Sequence, residues 1–218
     1  MKVITGSSSN LVNTVVEKIN SALQEGFPVA LFMSGGSSLV PEAEIVKRLS
    51  QLEHADKIHI LPVDERFGKP GHLDANLIKL KISQYRKIHV HDILDGSSFK
   101  KTIANFKNLF CKYHRAPFKT FAILGVGMDG HIGGNIPESP AANSQEMVEG
   151  FQDQVFQRIT LTPPAIRKID TIFVSAFGKN KAEILQRLVS GPKTGLPMEI
   201  LHTHREVYVF TDNKIPKE

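Results

Sequence analysis

Short apolar runs alternate along the chain with stretches in which apolar positions recur every three or four residues. In "NLVNTVVEKINSALQEG", Leu11, Val15, Ile19 and Ala22 or Leu23 share one helical face, and Gly26 is a stop signal. "FPVALFM" then reads as a strand. "SLVPEAEIVKRLSQL" predicts a helix with Val40, Ala43, Val46 and Leu49 on its inner face. "KIHILPV" alternates as a strand does and leads into a polar loop, after which "DANLIKLKIS" reads as a short helix. "SSFKKTIANFKNLFCKYHR" places Ile103, Phe106 and Phe110 on one side of a longer helix. "KTFAILGVG", "QRITLTP", "DTIFVSAFG" and "REVYVFTD" read as strands, and "NKAEILQRLVSG" as a helix.

Strand and helix alternating in this way predict an α/β fold: a doubly wound, mostly parallel sheet with helices on both faces. The unbroken apolar runs at 30–33, 121–124 and 172–174 fit strands covered on both sides. No internal repeat or low-complexity linker divides the sequence, so residues 1–218 are expected to form a single catalytic domain.

Charge narrows the partners. The 27 basic and 22 acidic residues leave a net +5 spread along the chain, with no basic block of the kind that tracks nucleic acid. Such an excess suits a small anionic substrate. Cys111 is the single cysteine, which excludes an intramolecular disulfide and a thiolate metal cluster within one chain. The opening "MKVITGSSSN" has no apolar core of a signal peptide, and no run approaches the ~18 apolar residues of a membrane span. A cytoplasmic protein without membrane or nucleic-acid partners is expected, as a monomer or small homo-oligomer.

In open α/β sheets ligands sit beyond the carboxyl ends of the strands, so the polar clusters that follow each apolar run carry the candidate chemistry. After "LFM" come Ser34, Gly35, Gly36, Ser37 and Ser38, leading into a helix near Leu39. Glycines let backbone N–H groups approach an anion, the helix start adds positive potential, and serines can donate to the same oxygens. A turn with a serine cap is the plainer reading. The loop matches neither a P-loop nor a GxGxxG fingerprint. After "LPV" come Asp64, Glu65 and Arg66, either a substrate-binding set or a surface ion cluster. After "FAIL", Gly125, Gly127 and Gly130 frame Asp129 and His131. A histidine can accept and return a proton near neutrality, and an adjacent carboxylate can orient it. After "FVSAF", Gly178 precedes Lys179 and Lys181 at a helix start, where a cation opposes the helix dipole unless an anion compensates. The pairs His89/His91 and His202/His204 lack a third nearby ligand in sequence, so no metal and no cofactor is expected.

In this order, "SGGSS", "VDERF", "GVGMDGH…P" and "GKNKAE" resemble the family of 6-phosphogluconolactonases and glucosamine-6-phosphate deaminases and isomerases, over most of the chain. "RITLTPPAI" and "TGLPMEILH" also match family positions. The resemblance implies a doubly wound α/β sheet. The deaminases continue Asp-Gly-His-Ile through Phe-Asn-Glu-Pro, and that glutamate partners the histidine in ring opening. Here Ile136 occupies its place, and an apolar side chain cannot ionise. The lactonases carry an apolar residue before the proline and an Asp-Glu-Arg like that of Asp64, Glu65 and Arg66. Ile132 and Asn135 are closer to the deaminase pattern.

The lactonase resemblance implies hydrolysis of 6-phospho-D-glucono-1,5-lactone to 6-phosphogluconate without a metal. The phosphate would lie on Ser34, Gly35, Gly36, Ser37 and Ser38, held also by Lys181 and Arg66. Gly127 and Asp64 would line the substrate site, His131 would move the proton, and Asp129 would orient the histidine or a sugar hydroxyl. The alternative is a sugar-phosphate deaminase or isomerase with Asp64 as the base. A non-enzymatic sugar-phosphate sensor is a third reading, disfavoured because no residues remain for a DNA-binding domain.

Overall fold

Strands β2 (Val29–Met33) and β6 (Lys119–Gly125) lie side by side at the centre of a seven-stranded sheet. The computed structural model describes residues 1–80, 84–191 and 195–214, with the Ser37 side chain outside the description. From β2 the chain builds outward through β3 (Ile58–Pro62) to β5 (His89–Val90). From β6 it builds the other way through β9 (Thr171–Ser175) to β10 (Val207–Thr211), whose outer edge is covered by the first strand of the chain, β1 (Lys2–Thr5). Every pairing in this sheet is parallel. The direction of winding therefore reverses between β2 and β6, and their carboxyl ends open the crevice in which such sheets bind ligands.

Alternation along the strands divides the core into two layers. Val29, Leu31 and Met33 pack with Leu11, Val15 and Ile19 of α1 (Ser8–Gln24) and with Ile45 and Leu49 of α2 (Leu39–Leu49). Ala30 and Phe32 face the opposite layer, with Phe106 and Phe110 of α4 (Phe99–Tyr113), Ala165 of α5 (Pro163–Ile166) and Leu185 of α6 (Ala182–Val189). Phe32, Phe106 and Phe110 are fully buried, a contribution of roughly 1.5–3 kcal/mol for each ring removed from water. The doubly wound architecture is the one expected from the sequence.

Some expectations are corrected. "QRITLTP" does form a strand, β8 (Gln157–Leu161), but it is the middle strand of a separate three-stranded antiparallel sheet, paired with residues 64–66 on one side and 148–152 on the other. The loop expected after β3 contains β4 (Asp64–Arg66), too short and too polar to carry a strand signal. Neither β7 (Val148–Gln152) nor β1 was foreseen. The inner face of α2 is rotated from the predicted one. Val40 is 80% exposed, while Glu42 is fully buried. A 3-10 turn, Gly36–Ser38, feeds this helix and resets its phase. The short helix α3 (Asn76–Lys79) forms as expected in part, and residues 81–83 of that stretch lie outside the described residues.

Candidate active site

A cavity of about 340 Å³ opens at the carboxyl ends of β2 and β6. The structure brings to it Ser34, Gly35, Gly36, Asp64, Arg66, Gly127, His131 and Lys181, eight of the residues singled out in sequence. Asn76, Gly133 and Arg158 also line it. Ser38 does not: it is fully buried, and its hydroxyl has no hydrogen-bond partner. The Ser37 side chain lies outside the described residues.

The loop after β6 is a tight reversal. Gly127 N–H donates to the His131 carbonyl at 2.9 Å, and Gly130 N–H to the Gly127 carbonyl at 3.0 Å. Within it, Asp129 Oδ1 lies 2.6 Å from His131 Nδ1 and accepts the His131 backbone N–H at 3.2 Å. Partial burial opposes ionisation of Asp129. The charge of His131 and the hydrogen bonds it donates outweigh that and hold the carboxyl below its usual range. With Nδ1 engaged by Asp129, the other ring nitrogen is left for chemistry. Gly130, at φ +82°, joins the pair. Its carbonyl accepts Met198 N–H at 3.0 Å, and an added Cβ there would stand 2.8 Å from Leu196 Cδ1. The following turn is pinned to β8: Asn135 Nδ2 donates to the Leu161 carbonyl at 2.8 Å and Gly134 N–H to Thr160 Oγ1 at 3.1 Å.

The loop after β2 departs from expectation. Ser34 N–H donates to Glu42 Oε1 at 3.1 Å and Gly35 N–H to Glu42 Oε2 at 2.9 Å, so these two amides face a buried carboxylate. Ser34 Oγ accepts Gly125 N–H at 3.2 Å, tying the two central strand ends together. With the amides of Ser34, Gly35, Gly125 and Gly127 engaged within the protein, side chains supply the cavity's positive charge. Lys181, buried in the 3-10 turn Lys179–Lys181, donates to the Val126 carbonyl at 2.6 Å and keeps two further protons to offer. Lys179 is exposed and lies outside the lining. Arg66 donates from one terminal nitrogen to the Asp74 carbonyl at 2.8 Å, while its Nε is buried without a partner.

Across the cavity, Asp64 is 5% exposed. Burial pushes its carboxyl above the usual range, and Arg158, Arg66 and His131 hold it back part of the way. Arg158 Nη1 stands 3.8 Å from Asp64 Oδ2, and its Nε bonds to Asp153. Glu65 is turned elsewhere: it accepts the N–H groups of Asn76 at 2.7 Å and Leu77 at 3.3 Å, the start of α3. Burial raises its carboxyl to about 7. Sequence reasoning missed Arg158 and Glu42. The signals were a cation within an apolar strand and an acid one helical turn after Ser38.

The two histidine pairs part ways. His204 is buried, with Nε2 on the Ile169 carbonyl at 2.7 Å and Nδ1 accepting Glu206 N–H at 3.2 Å, so both nitrogens are occupied. His91 meets His59, which was not singled out, with 2.9 Å between Nε2 and Nδ1 and Tyr113 Oη close to both. Among the described residues no group of three His, Cys, Asp or Glu side chains is arranged to hold a metal, and no helix is long and apolar enough to cross a membrane.

Residues 6–210 match the family described as Glucosamine-6-phosphate isomerases/6-phosphogluconolactonase. The chain belongs to this family. Among curated relatives, the glucosamine-6-phosphate deaminase of Pediococcus pentosaceus is 31% identical over 196 residues, 82% of this chain and 81% of that protein. The match to the deaminase of Streptococcus equi subsp. zooepidemicus, 34% identical, spans only 45% of this chain and 48% of that protein. Solved structures show the same fold. The 6-phosphogluconolactonase of Thermotoga maritima superimposes with a TM-score of 0.75 at 20% identity, covering 96% of each chain. A monomeric glucosamine-6-phosphate deaminase reaches 0.77 at 19% identity, covering 97% of each. The fold is thus shared by both activities, and the branch has to be argued from the site.

Proposed function

We propose that the chain hydrolyses 6-phospho-D-glucono-1,5-lactone to 6-phosphogluconate. The observation that carries this reading is the partner set of His131. Asp129 engages it, and Ile136 stands where a ring-opening glutamate would be needed. His131 with its carboxylate partner is equipped to move one proton out and back, which is what ester hydrolysis requires.

In this reading the sugar phosphate enters with its phosphate toward Lys181, Arg66 and the Ser34–Gly36 rim. His131 takes a proton from water as the water oxygen attacks the lactone carbonyl. The proton then passes to the ring oxygen as the carbon–oxygen bond of the ring breaks. Asp129 fixes the imidazole and stabilises its charged form. The cationic wall, Arg158 included, lowers the energy of the developing oxyanion.

A glucosamine-6-phosphate deaminase is the second reading. It is favoured by the names of the sequence relatives and by Asp64 lying in the same cavity as His131, where it would serve as the proton-transferring base. The two are separated by proton release from fresh lactone, corrected for spontaneous hydrolysis, beside ammonia release from glucosamine 6-phosphate. Acceleration of the first alone supports the lactonase. Ammonia release without lactone hydrolysis overturns it.

A further inference from the structure

Glu42 has no place in the mechanism above, yet it is a fully buried acid held directly against the loop after β2. It is fully buried on α2, behind the loop that forms one rim of the cavity rather than in the cavity wall. Both carboxyl oxygens receive backbone N–H groups from that loop, Ser34 on one and Gly35 on the other. Gly35 sits at φ +67° and cannot accept a side chain without meeting Asn76, so the loop conformation that presents these amides to Glu42 is closely fixed. Ser38, in the 3-10 turn that leads into the same helix, adds a buried hydroxyl with no partner.

The environment pulls Glu42 two ways. Burial disfavours the ion, and the nearby charge of Asp64 adds to that, while the two amides favour it; the balance lifts the carboxyl to about 8. A dianion in the cavity would face the same two peptide groups from the other side. It would repel the ionised carboxylate through a short, poorly screened path. Occupancy and ionisation at Glu42 must then oppose one another, and by reciprocity each weakens the other equally.

We propose that Glu42 is a positioning residue of the anion site whose charge state is tied to occupancy. Ionised, it clamps the Ser34 and Gly35 amides. Protonated, it removes the repulsion beneath a bound dianion. Substrate binding is therefore accompanied by proton uptake at a residue that never touches substrate. This rests on reading the cavity as a site for a phosphate-bearing ligand.

Sulfate, a dianion that does not titrate near neutrality, is the probe. Its affinity for the full chain and for Glu42→Gln is measured from about pH 6 to about pH 9. The remaining groups around the cavity (His131, Asp64, Arg66, Arg158 and Lys181), and Glu65 behind Asp64, are common to both proteins, so the difference between the curves reports Glu42 together with its coupling to Asp64. An anion that raises the carboxyl by one unit changes affinity by about tenfold. The expected result is that wild type loses about fivefold more affinity across this range than Glu42→Gln, the part of that tenfold change realised by about pH 9. Parallel curves overturn the proposal while leaving the anion site standing. Absence of sulfate binding to wild type at every pH overturns the anion site and the proposal together. Should Glu42→Gln fail to fold, proton uptake on sulfate binding is read by calorimetry at about pH 8 in two buffers of different ionisation enthalpy. It is done in a His131→Asn, Asp64→Asn background, which removes the imidazole and the carboxyl that line the cavity. Net uptake supports the proposal and zero uptake overturns it.

Discussion

Asp129 Oδ1 engages both the ring Nδ1 and the backbone N–H of His131, at 2.6 and 3.2 Å, so one carboxylate oxygen fixes the imidazole and the peptide that carries it. Replacing His131 by Ala is expected to lower lactone turnover by about 10²–10⁴-fold, the usual worth of a positioned general base. Asp129→Asn is expected to cost less, on the order of tenfold or more, because the ring remains but its orientation and charged form lose support. Stopped-flow proton release measures both. Wild-type rates in His131→Ala would end the assignment.

Gly130 links those two residues at φ +82° with Leu196 against it. Gly130→Ala imposes a strained backbone and a collision, at about 1–3 kcal/mol. Urea unfolding should register that loss, and kcat should fall further than the stability change explains, because the strain acts between Asp129 and His131. An unchanged kcat in a destabilised protein would separate the loop from the chemistry.

Arg158 lies between Asp64 and Asp153. Arg158→Met keeps the apolar stem of the side chain but leaves Asp64 buried without its main counter-charge. A loss of about 1–3 kcal/mol is expected at neutral pH. The loss should shrink in acid, once Asp64 is protonated in the variant. Denaturant midpoints at two pH values test this, and the KM for the lactone should rise in parallel.

The His59–His91 contact predicts how stability depends on pH. The ring centroids are 5.2 Å apart and nearly coplanar, as expected for two imidazoles facing each other nitrogen to nitrogen across 2.9 Å. One proton between them satisfies both, and a second is opposed. Burial, with the charges of His91, His89 and Lys112, pushes His59 down from 6.5 to about 4, and burial lowers His91 as well. A depressed folded-state value means that the unfolded chain takes up protons first as the pH falls. The contribution is therefore complete above about pH 6.5 and is lost between there and about pH 4. Unfolding free energies measured across that window should fall less steeply in His59→Gln than in wild type.

Much of this was legible in the chain. The central strands announced themselves because burial on both faces demands unbroken apolar runs such as residues 121–124, and α1 did so because its stripe spans four turns. His131, Asp129 and Lys181 stand out in the sequence because each lies in the polar stretch after such a strand, and the structure brings His131 and Lys181 to the same cavity. What escaped depended on contacts distant in sequence. Arg158 enters the cavity only because β8 pairs with β4, nearly a hundred residues earlier, and a three-residue strand has no periodicity to detect. The Ser34 and Gly35 amides read as an anion cradle until Glu42 was seen to hold them, which required the phase of α2 rather than its existence.

The small antiparallel sheet supplies Asp64, Arg66 and Arg158, while the main sheet supplies the Ser34–Gly36 rim, His131 and Lys181. Along β8 the alternating residues Ile159 and Leu161 are fully buried in the core, whereas Arg158 between Gln157 and Ile159 looks into the cavity. Thr160, in the same column as Arg158, is fully buried and pins the turn that follows His131, so an exchange at Arg158 alone would recast this wall of the cavity and leave the seven-stranded scaffold in place. The freedom to vary this wall is thus concentrated in a single side chain, with the rest of the strand committed to holding the two sheets together.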